Sequence, residues 1–313
     1  MANIRELRGR IRSVRGIRQI TRAMEMVATT KLRRFQERAV RSRPYANEIE
    51  DLVLLLAAYV ARESEIVESG AIDRSLLTDR GDARIAVLLV ASDRGLCGAY
   101  NSNIFACFEK WRAGFAGKEI TIFPIGRKAA DYVKKRGYQR AGSFQAEQLE
   151  KMSYADTANV ARELLAHFRS GKCDQLHLVS TAFESMAKYV PNAVRLLPLD
   201  REAVKAKAAA GEKAKAAGDE RAERRVSGPM LLEPDPATIF NLLLPRFLET
   251  RVFNALMESL TSEFASRRFS MKNATEAADE MIGTLQRVYN RVRQERITKE
   301  LLEIVGGAEA LRG

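Results

Sequence analysis

The chain has 313 residues, is 46% apolar and carries a formal charge of +12, with eight prolines, three cysteines and two histidines. That length and apolar content suit one large or two small domains with a sizeable core, and exclude a largely disordered protein. The longest apolar run, 52–60, is nine residues, far short of a membrane span. No apolar signal core follows the charged N-terminus. The expectation is a protein kept in the cytosol, without direct membrane insertion, that meets a membrane only through partners. Cys97, Cys107 and Cys173 lack disulfide-scaffold or metal-ligand spacing, and His167 and His177 are too separated for a metal cluster.

Residues 1–43 carry 13 Lys/Arg against 3 Asp/Glu, a net of +10. Apolar residues at Ile4, Leu7, Ile11, Val14, Ile17, Ile20, Met24 and Val27 recur at spacings of three and four, which predicts a helix over about 3–43. Asn3 and Glu6 are placed to cap it. Pro44 either kinks or ends the helix, and Ile49, Leu52, Val53, Leu56 and Val60 carry the pattern on to about 67. The step from Val14 to Ile17 is three residues where a heptad continues with four, which predicts a local overwinding of any supercoil.

Between 84 and 198 the period changes. Short apolar runs at 85–90, 120–123 and 175–180, with a last one at 194–197, read as strands, and helical patterns lie at 104–111, 126–136 and 146–168. Alternating strands and helices predict an α/β layer with a mainly parallel, Rossmann-like sheet. Residues 200–225 hold 8 basic and 6 acidic residues and almost nothing that fills a core, as expected of an exposed arm. The last helical region begins near Pro236, and Pro245 is a candidate bend. From Phe264, apolar or small residues at Met271, Ala274, Ala278, Met281, Leu285, Val288 and Val292 form a heptad seam, with Arg267 the charged break. Small residues (Ala23, Ala28, Thr29, Thr30; Ala265, Ala274, Ala277, Ala278, Gly283) suit close contact between the two rods. Gly306-Gly307 reads as a helix stop. The apolar residues after Glu303 suit either an apolar sleeve supplied by other chains or a frayed end. The organisation is a 1–69 helical region, a 70–199 α/β domain, a 200–228 charged insertion and a 229–313 helical region. Its fold class is α/β, with the long terminal helices paired as an antiparallel coiled coil.

No phosphate loop is present. The nearest candidate, 93–98 (Asp-Arg-Gly-Leu-Cys-Gly), follows the first strand, where α/β folds bind ligands, but its glycine spacing fits a tight structural turn better. Cys97 lacks an evident base and reads as a small buried thiol. Asp93 and Arg94 read as a local ion pair or a partner contact. No catalytic, cofactor or metal constellation emerges. The basic first helix is compatible with nucleic acid, a solvated face or an acidic protein cavity. Its continuous apolar stripe, with no basic region flanking a zipper, argues against a DNA-reading helix.

Three motifs, Ile20-Thr-Arg-Ala-Met-Glu-Met-Val-Ala28 with Lys31-Leu-Arg33, Asp93-Arg-Gly-Leu-Cys-Gly98 with Asn101-Ser-Asn103, and Ile297-Thr-Lys-Glu300 with Glu303-Ile-Val-Gly-Gly-Ala308, resemble the gamma subunits of bacterial F-type ATP synthases. The resemblance covers about 1–199 and 229–311. It implies a non-catalytic central stalk without a cofactor, serving a head of three alpha and three beta subunits, the epsilon subunit and the c ring. The shaft would couple proton or sodium flow to ATP synthesis or hydrolysis, at the cytoplasmic face of the inner membrane, with no nucleic acid involved. It further implies coupling contacts at Met24 on the first rod and at Arg268, Arg293, Gln294, Thr298, Glu300 and Glu303 on the last. Met24 has packing within the coil as its plain alternative, and the two glutamates have local charge balance. Arg22 stands where the motif often has lysine, and the 200–225 insertion has no cysteine, so thiol switching is not supported.

Overall fold

The computed structural model describes residues 4–62, 80–141, 149–199 and 233–310. They form α1 (Ile4–Arg62), β1 (Arg84–Val90), α2 (Tyr100–Ala113), β2 (Glu119–Ile125), α3 (Arg127–Arg136), a single 3-10 turn (Leu149–Lys151), α4 (Tyr154–Arg169), β3 (Gln175–Phe183), β4 (Tyr189–Leu197) and α5 (Pro236–Ala310). The chain divides into two compact units, one of residues 1–31 with 265–313 and one of residues 32–264. Asn3, the 63–69 end of the first helical pattern, 142–148 and the charged insertion lie outside the described residues.

The first unit is an antiparallel two-helix coil. Arg8 Nη2 donates to Tyr289 Oη at 2.8 Å, Arg18 pairs with Asp279 at 3.0 Å, and Thr275 Oγ1 donates to Thr21 Oγ1 at 2.8 Å. Residue numbers on α5 fall as those on α1 rise, which fixes the antiparallel sense. On α1 positions 4, 7, 11, 14, 18, 21, 25 and 28 are buried or half-buried and step alternately by three and four, with Gly16 the one further half-buried position between 4 and 28. The expected overwinding step is therefore absent. Arg18, not Ile17, takes the position after Val14, its aliphatic stem covering the seam while its head reaches Asp279.

On α5 the seam runs through Met271, Thr275, Ala278, Ile282, Leu285, Tyr289 and Val292. Ile282 and Tyr289 replace the expected Met281 and Val288, both of which are exposed. The apolar alternatives sit one position away, and the steps of three and four decide between them. Of the small residues expected at the contact, Ala28, Ala265 and Ala278 are buried and Ala274 is half-buried, whereas Ala23, Thr29, Thr30, Ala277 and Gly283 are exposed. The Thr29 and Thr30 hydroxyls bond back to the carbonyls of Glu25 and Met26. Gly306 and Gly307 do not stop α5, because neither adopts the left-handed backbone that a glycine stop requires.

The second unit is built on a four-stranded sheet in the order β2-β1-β3-β4. β1 pairs parallel with β2 and β3, and β4 adds antiparallel at the edge. Ile85 to Val90 are all buried, as a central parallel strand covered on both faces requires. Val87 and Leu89 pack with Ile104 and Phe108 of α2, Ile122 of β2 and Val133 of α3. α4 starts later than its sequence pattern suggests because Ser153 and Asp156 form a reciprocal capping box. Asp174 accepts Arg84 Nη2 at 2.8 Å and the Arg84 backbone N–H at 2.9 Å, bonds that hold its carboxyl below the usual carboxylate range.

His177 on β3 accepts Trp111 Nε1–H at 3.3 Å on Nδ1 and faces Gln175 Oε1 at 2.9 Å through Nε2. Burial, reinforced by Arg195, pulls its pKa down to about 4. In the same unit the α1 and α5 segments pack through the stacked rings of Phe35 and Phe264, 5.5 Å apart, and the Arg43–Glu258 pair at 2.9 Å. Pro44 and Pro245 both lie inside helices. Each interrupts one backbone bond, but buried residues follow on both rods (Ala46, Ile49 and Val53; Phe247, Leu248 and Val252), so tertiary packing carries the helix past the proline.

Candidate coupling surface

α1 presents a second apolar stripe that the seam does not use. Ile17, Ile20, Met24 and Val27 are 53%, 59%, 39% and 54% exposed, and Met26 is exposed beside them. They sit one position from the seam residues Arg18, Thr21, Glu25 and Ala28, so a heptad coil turns them outward. Met24, the least exposed of the set, still reaches the outer surface of the coil. The sequence pattern ran these residues into one stripe with Ile4, Leu7, Ile11 and Val14, and the structure separates the two.

The predicted contacts on α5 separate into two places. Arg268 is half-buried, whereas Arg293, Gln294, Thr298, Glu300 and Glu303 are exposed. Arg268 and Arg293 are 25 positions apart on one helix, about 37 Å along it at the helical rise. By the antiparallel pairing Arg268 lies near the level of Met24, while the others cluster toward the end of α5. Glu300 pairs with Arg296 at 2.8 Å and Glu303 with Lys299 at 3.8 Å, so both carboxylates already have a partner one turn away. Leu301, Leu302, Ile304 and Val305 surround them and are 56–68% exposed.

The loop after β1 is a closed turn. Asp93 accepts the backbone N–H of Arg127 at 3.0 Å and that of Leu149 at 2.6 Å, tying the loop to the start of α3 and to the 3-10 turn. The carboxylate thus serves two backbone donors, a role that the expectation of a local ion pair with Arg94 or a partner contact did not include. Asn101 bonds the Ser92 side chain and donates to Cys97 Sγ at 3.2 Å, so the polar groups close on one another and leave no phosphate cradle. Cys97 is buried, as expected. Leu96, 63% exposed, has φ 61°, a conformation that costs a leucine about 1–2 kcal/mol. Gly126 faces this turn, and a Cβ there would stand 2.0 Å from the Ala91 carbonyl oxygen, so only glycine fits. Among the described residues no group of three or more His, Cys, Asp and Glu side chains is arranged to hold a metal ion, and no helix is long and apolar enough to cross a membrane.

One unit pairs the terminal helices as a coil with apolar residues left on its outer face, and the other holds a small α/β sheet, which together define a contact-making protein with no catalytic constellation among the described residues. The family described as ATP synthase matches residues 3–311. The chain is 40% identical over 330 aligned residues to the ATP synthase gamma chain of Mycolicibacterium gilvum (strain PYR-GCK), covering 99% of this chain and 98% of that one. It is 40% identical over 329 residues to that of Mycobacterium tuberculosis (strain ATCC 25618 / H37Rv), with the same coverage. The chain belongs to the ATP synthase gamma chain family. The fold is shared with a chain of the Euglena gracilis mitochondrial ATP synthase (TM-score 0.61, 21% identity, 98% of this chain and 94% of that one). It is also shared with one of the Tetrahymena thermophila central stalk and c-ring (TM-score 0.53, 22% identity, 82% and 99%).

Proposed function

We propose that this chain is the central rotor shaft of an F-type ATP synthase, a non-catalytic subunit that couples ion flow through a c ring to ATP synthesis or hydrolysis at alpha/beta sites. Membership of the gamma chain family carries this reading. The physical requirement is asymmetry. A rod shifts the conformational equilibria of three surrounding catalytic sites only if it touches each one differently. Two antiparallel helices with one outward apolar stripe on α1 have no threefold symmetry, so three sites around them meet three different surfaces at any instant.

In this reading the coil contacts the three alpha and three beta subunits, and the α/β unit meets the epsilon subunit and the c ring. The assembly is membrane-associated, with this chain at the cytoplasmic face of the inner membrane. Met24, Arg268, Arg293, Gln294 and Thr298 are the coupling contacts. Glu300 and Glu303 join them through surfaces they share with Arg296 and Lys299. The basic character of α1 suits acidic loops of the head, since complementary charge fixes orientation.

Co-purification of the full chain with alpha and beta subunits tests the reading, and a chain that never enters a three-to-three-to-one complex refutes it. Met24→Lys sharpens it by placing a charge in the outward stripe. The expected outcome is intact assembly with a lower ratio of proton pumping to ATP hydrolysis on the same membranes. An unchanged ratio removes Met24 from the coupling surface.

A further inference from the structure

Away from the coil, the buried carboxylate of Glu249 gathers two exposed arginines. Arg246 Nη1 donates to its Oε2 at 2.9 Å, Arg162 Nε stands 3.4 Å from its Oε1, and Tyr154 Oη donates to Oε2 at 3.4 Å. Tyr154 and Arg162 share one face of α4. Leu242, Arg246, Glu249 and Phe253 follow one another at steps of four, three and four along one face of α5. The Tyr154 ring meets that of Phe253 at 5.4 Å, so the two helices are packed together here. A buried carboxylate is costly unless it is paired, and one arginine would supply the charge.

Three features go beyond that structural need. Two guanidinium groups on one carboxylate leave a positive charge unmatched, and among the described residues neither arginine pairs with a second acid. Each is anchored through a single nitrogen, Nη1 of Arg246 and Nε of Arg162, so most of the five N–H groups of each remain open. An exposed ion pair normally has to immobilise two long side chains as it forms. Here the buried Glu249 already holds both arginines in place. Leu242, one turn before Arg246 on the same face, is 67% exposed. Arginine and tyrosine beside an exposed apolar residue have the make-up of a protein–protein contact.

From this juxtaposition we infer a docking site for an acidic segment of a neighbouring subunit. An Asp or Glu carboxylate of that segment takes the open N–H groups of Arg162 and Arg246, and an apolar side chain beside it covers Leu242. A carboxylate fits in charge, because it brings the cluster to two positive and two negative groups. It fits in shape, because its two oxygens match the guanidinium fork. A phosphate dianion would overshoot the balance. The inference rests on the rotor reading for its neighbouring subunit, and adds a contact on the α/β unit at residues that none of the three sequence motifs contains.

The test places Arg246→Lys and Arg162→Lys, separately, in the full chain assembled and purified with alpha, beta, epsilon and c subunits. Lysine keeps the charge and supplies an amine, which a water-soluble carbodiimide joins as an amide to a carboxylate in contact with it. Peptide mass mapping then identifies that carboxylate. The expected result is an amide from at least one substituted position to an Asp or Glu of a neighbouring subunit, with an apolar residue beside the captured acid. Coupling only to Glu249, or to nothing, in both variants of an intact complex overturns the inference. So does capture of an acid with no apolar residue beside it. Arg162 is the more loosely held of the two, so its variant keeps the test decisive if Arg246→Lys disturbs the fold. A chain that enters no complex fails the rotor reading and this inference with it, whereas an intact complex without the cross-link fails the inference alone.

Discussion

The coil and the α/β unit are held by different chemistry. The centre of the α/β unit is apolar and dry: Val87, Leu89, Ile104, Phe108 and Val179 have no more than trace exposure. The middle of the coil seam holds Arg18, Thr21 and Glu25 on α1 and Thr275 on α5, joined by the Arg18–Asp279 pair and the threonine hydrogen bond. Polar and small residues bury little apolar area, so the coil gains less per contact than the sheet. What the coil keeps in exchange is an outer surface with apolar stripes turned away from its own seam. A shaft that must offer side chains to changing neighbours benefits from that division, while the α/β unit supplies a rigid core.

The largest test of this contrast is a matched pair of truncations. Phe108→Ala should destabilise the α/β unit by about 3–5 kcal/mol, the usual range for a fully buried aromatic. Ile282→Ala, in the coil seam, should cost about 2 kcal/mol, at the low end for an isoleucine. Urea unfolding of the full chain, with hydrogen exchange at β1 and α5 amides to tell the units apart, measures both. Equal costs would erase the contrast.

A second test uses pH and acts only on the α/β unit. The pKa of His177, depressed to about 4 from an unfolded value near 6.5, means that the unfolded chain takes up a proton which the folded chain refuses. Stability from this site is therefore complete above about pH 6.5 and is lost as pH falls toward 4, by roughly 3 kcal/mol in all. Trp111, Phe115, Gln175 and Arg195 surround the ring, and none of them welcomes a second proton. His177→Gln, which cannot titrate, should flatten the stability slope between pH 6.5 and 4. A slope equal to that of the wild type would assign it to other groups.

In the coil, the hydrogen bond between Thr275 and Thr21 should be worth little in net terms. Thr21 passes its own proton to the Arg18 carbonyl at 3.0 Å, so the pair is satisfied as it stands. Replacing both threonines with valine keeps the shape and removes both polar groups, and the expected change lies within about 1 kcal/mol of zero. Either single variant should be less stable than the double, because it leaves a hydroxyl facing a methyl group. Chemical unfolding of the three variants checks the order, and a double variant less stable than both singles would mean that the polar seam is itself stabilising.

The architecture was largely legible in the residues. Apolar runs at β1, β2 and β3 are short and rich in branched residues, and the terminal rods carry helical periods over many turns. The misreadings share one cause: sequence patterns give the period of a helix but not which of two adjacent stripes is buried. Ile17 is more apolar than Arg18, and Met281 and Ile282 are both apolar, yet the pairing partner on the opposite helix decides the register. Pro44, Pro245 and Gly306-Gly307 were read by their intrinsic preferences, which a local rule supplies and long-range packing overrides at the two prolines. The role of Asp93 depends on backbone N–H groups at Arg127 and Leu149, 34 and 56 positions away, which no local pattern connects. The proposed coupling residues rest on family motifs, because an exposed Arg or Thr carries no local mark of its partner.

The smallest expected effect is also the most discriminating for the tip of α5. Glu300 and Arg296 are an exposed pair one turn apart, and such pairs stabilise a helix by about 0.2–0.5 kcal/mol. Glu300→Gln should therefore leave thermal unfolding of the full chain almost unmoved. If Glu300 only balances Arg296, the ratio of pumping to hydrolysis in the assembled complex should be equally unmoved. If the carboxylate instead alternates between Arg296 and a cation on a neighbouring subunit, removing its charge alters contacts that differ between rotor positions, and the ratio should fall while stability does not. Adding Arg296→Gln to a variant whose ratio has fallen checks the cause, since restoring local neutrality would repair a defect of charge balance but cannot replace a contact made by the Glu300 carboxylate.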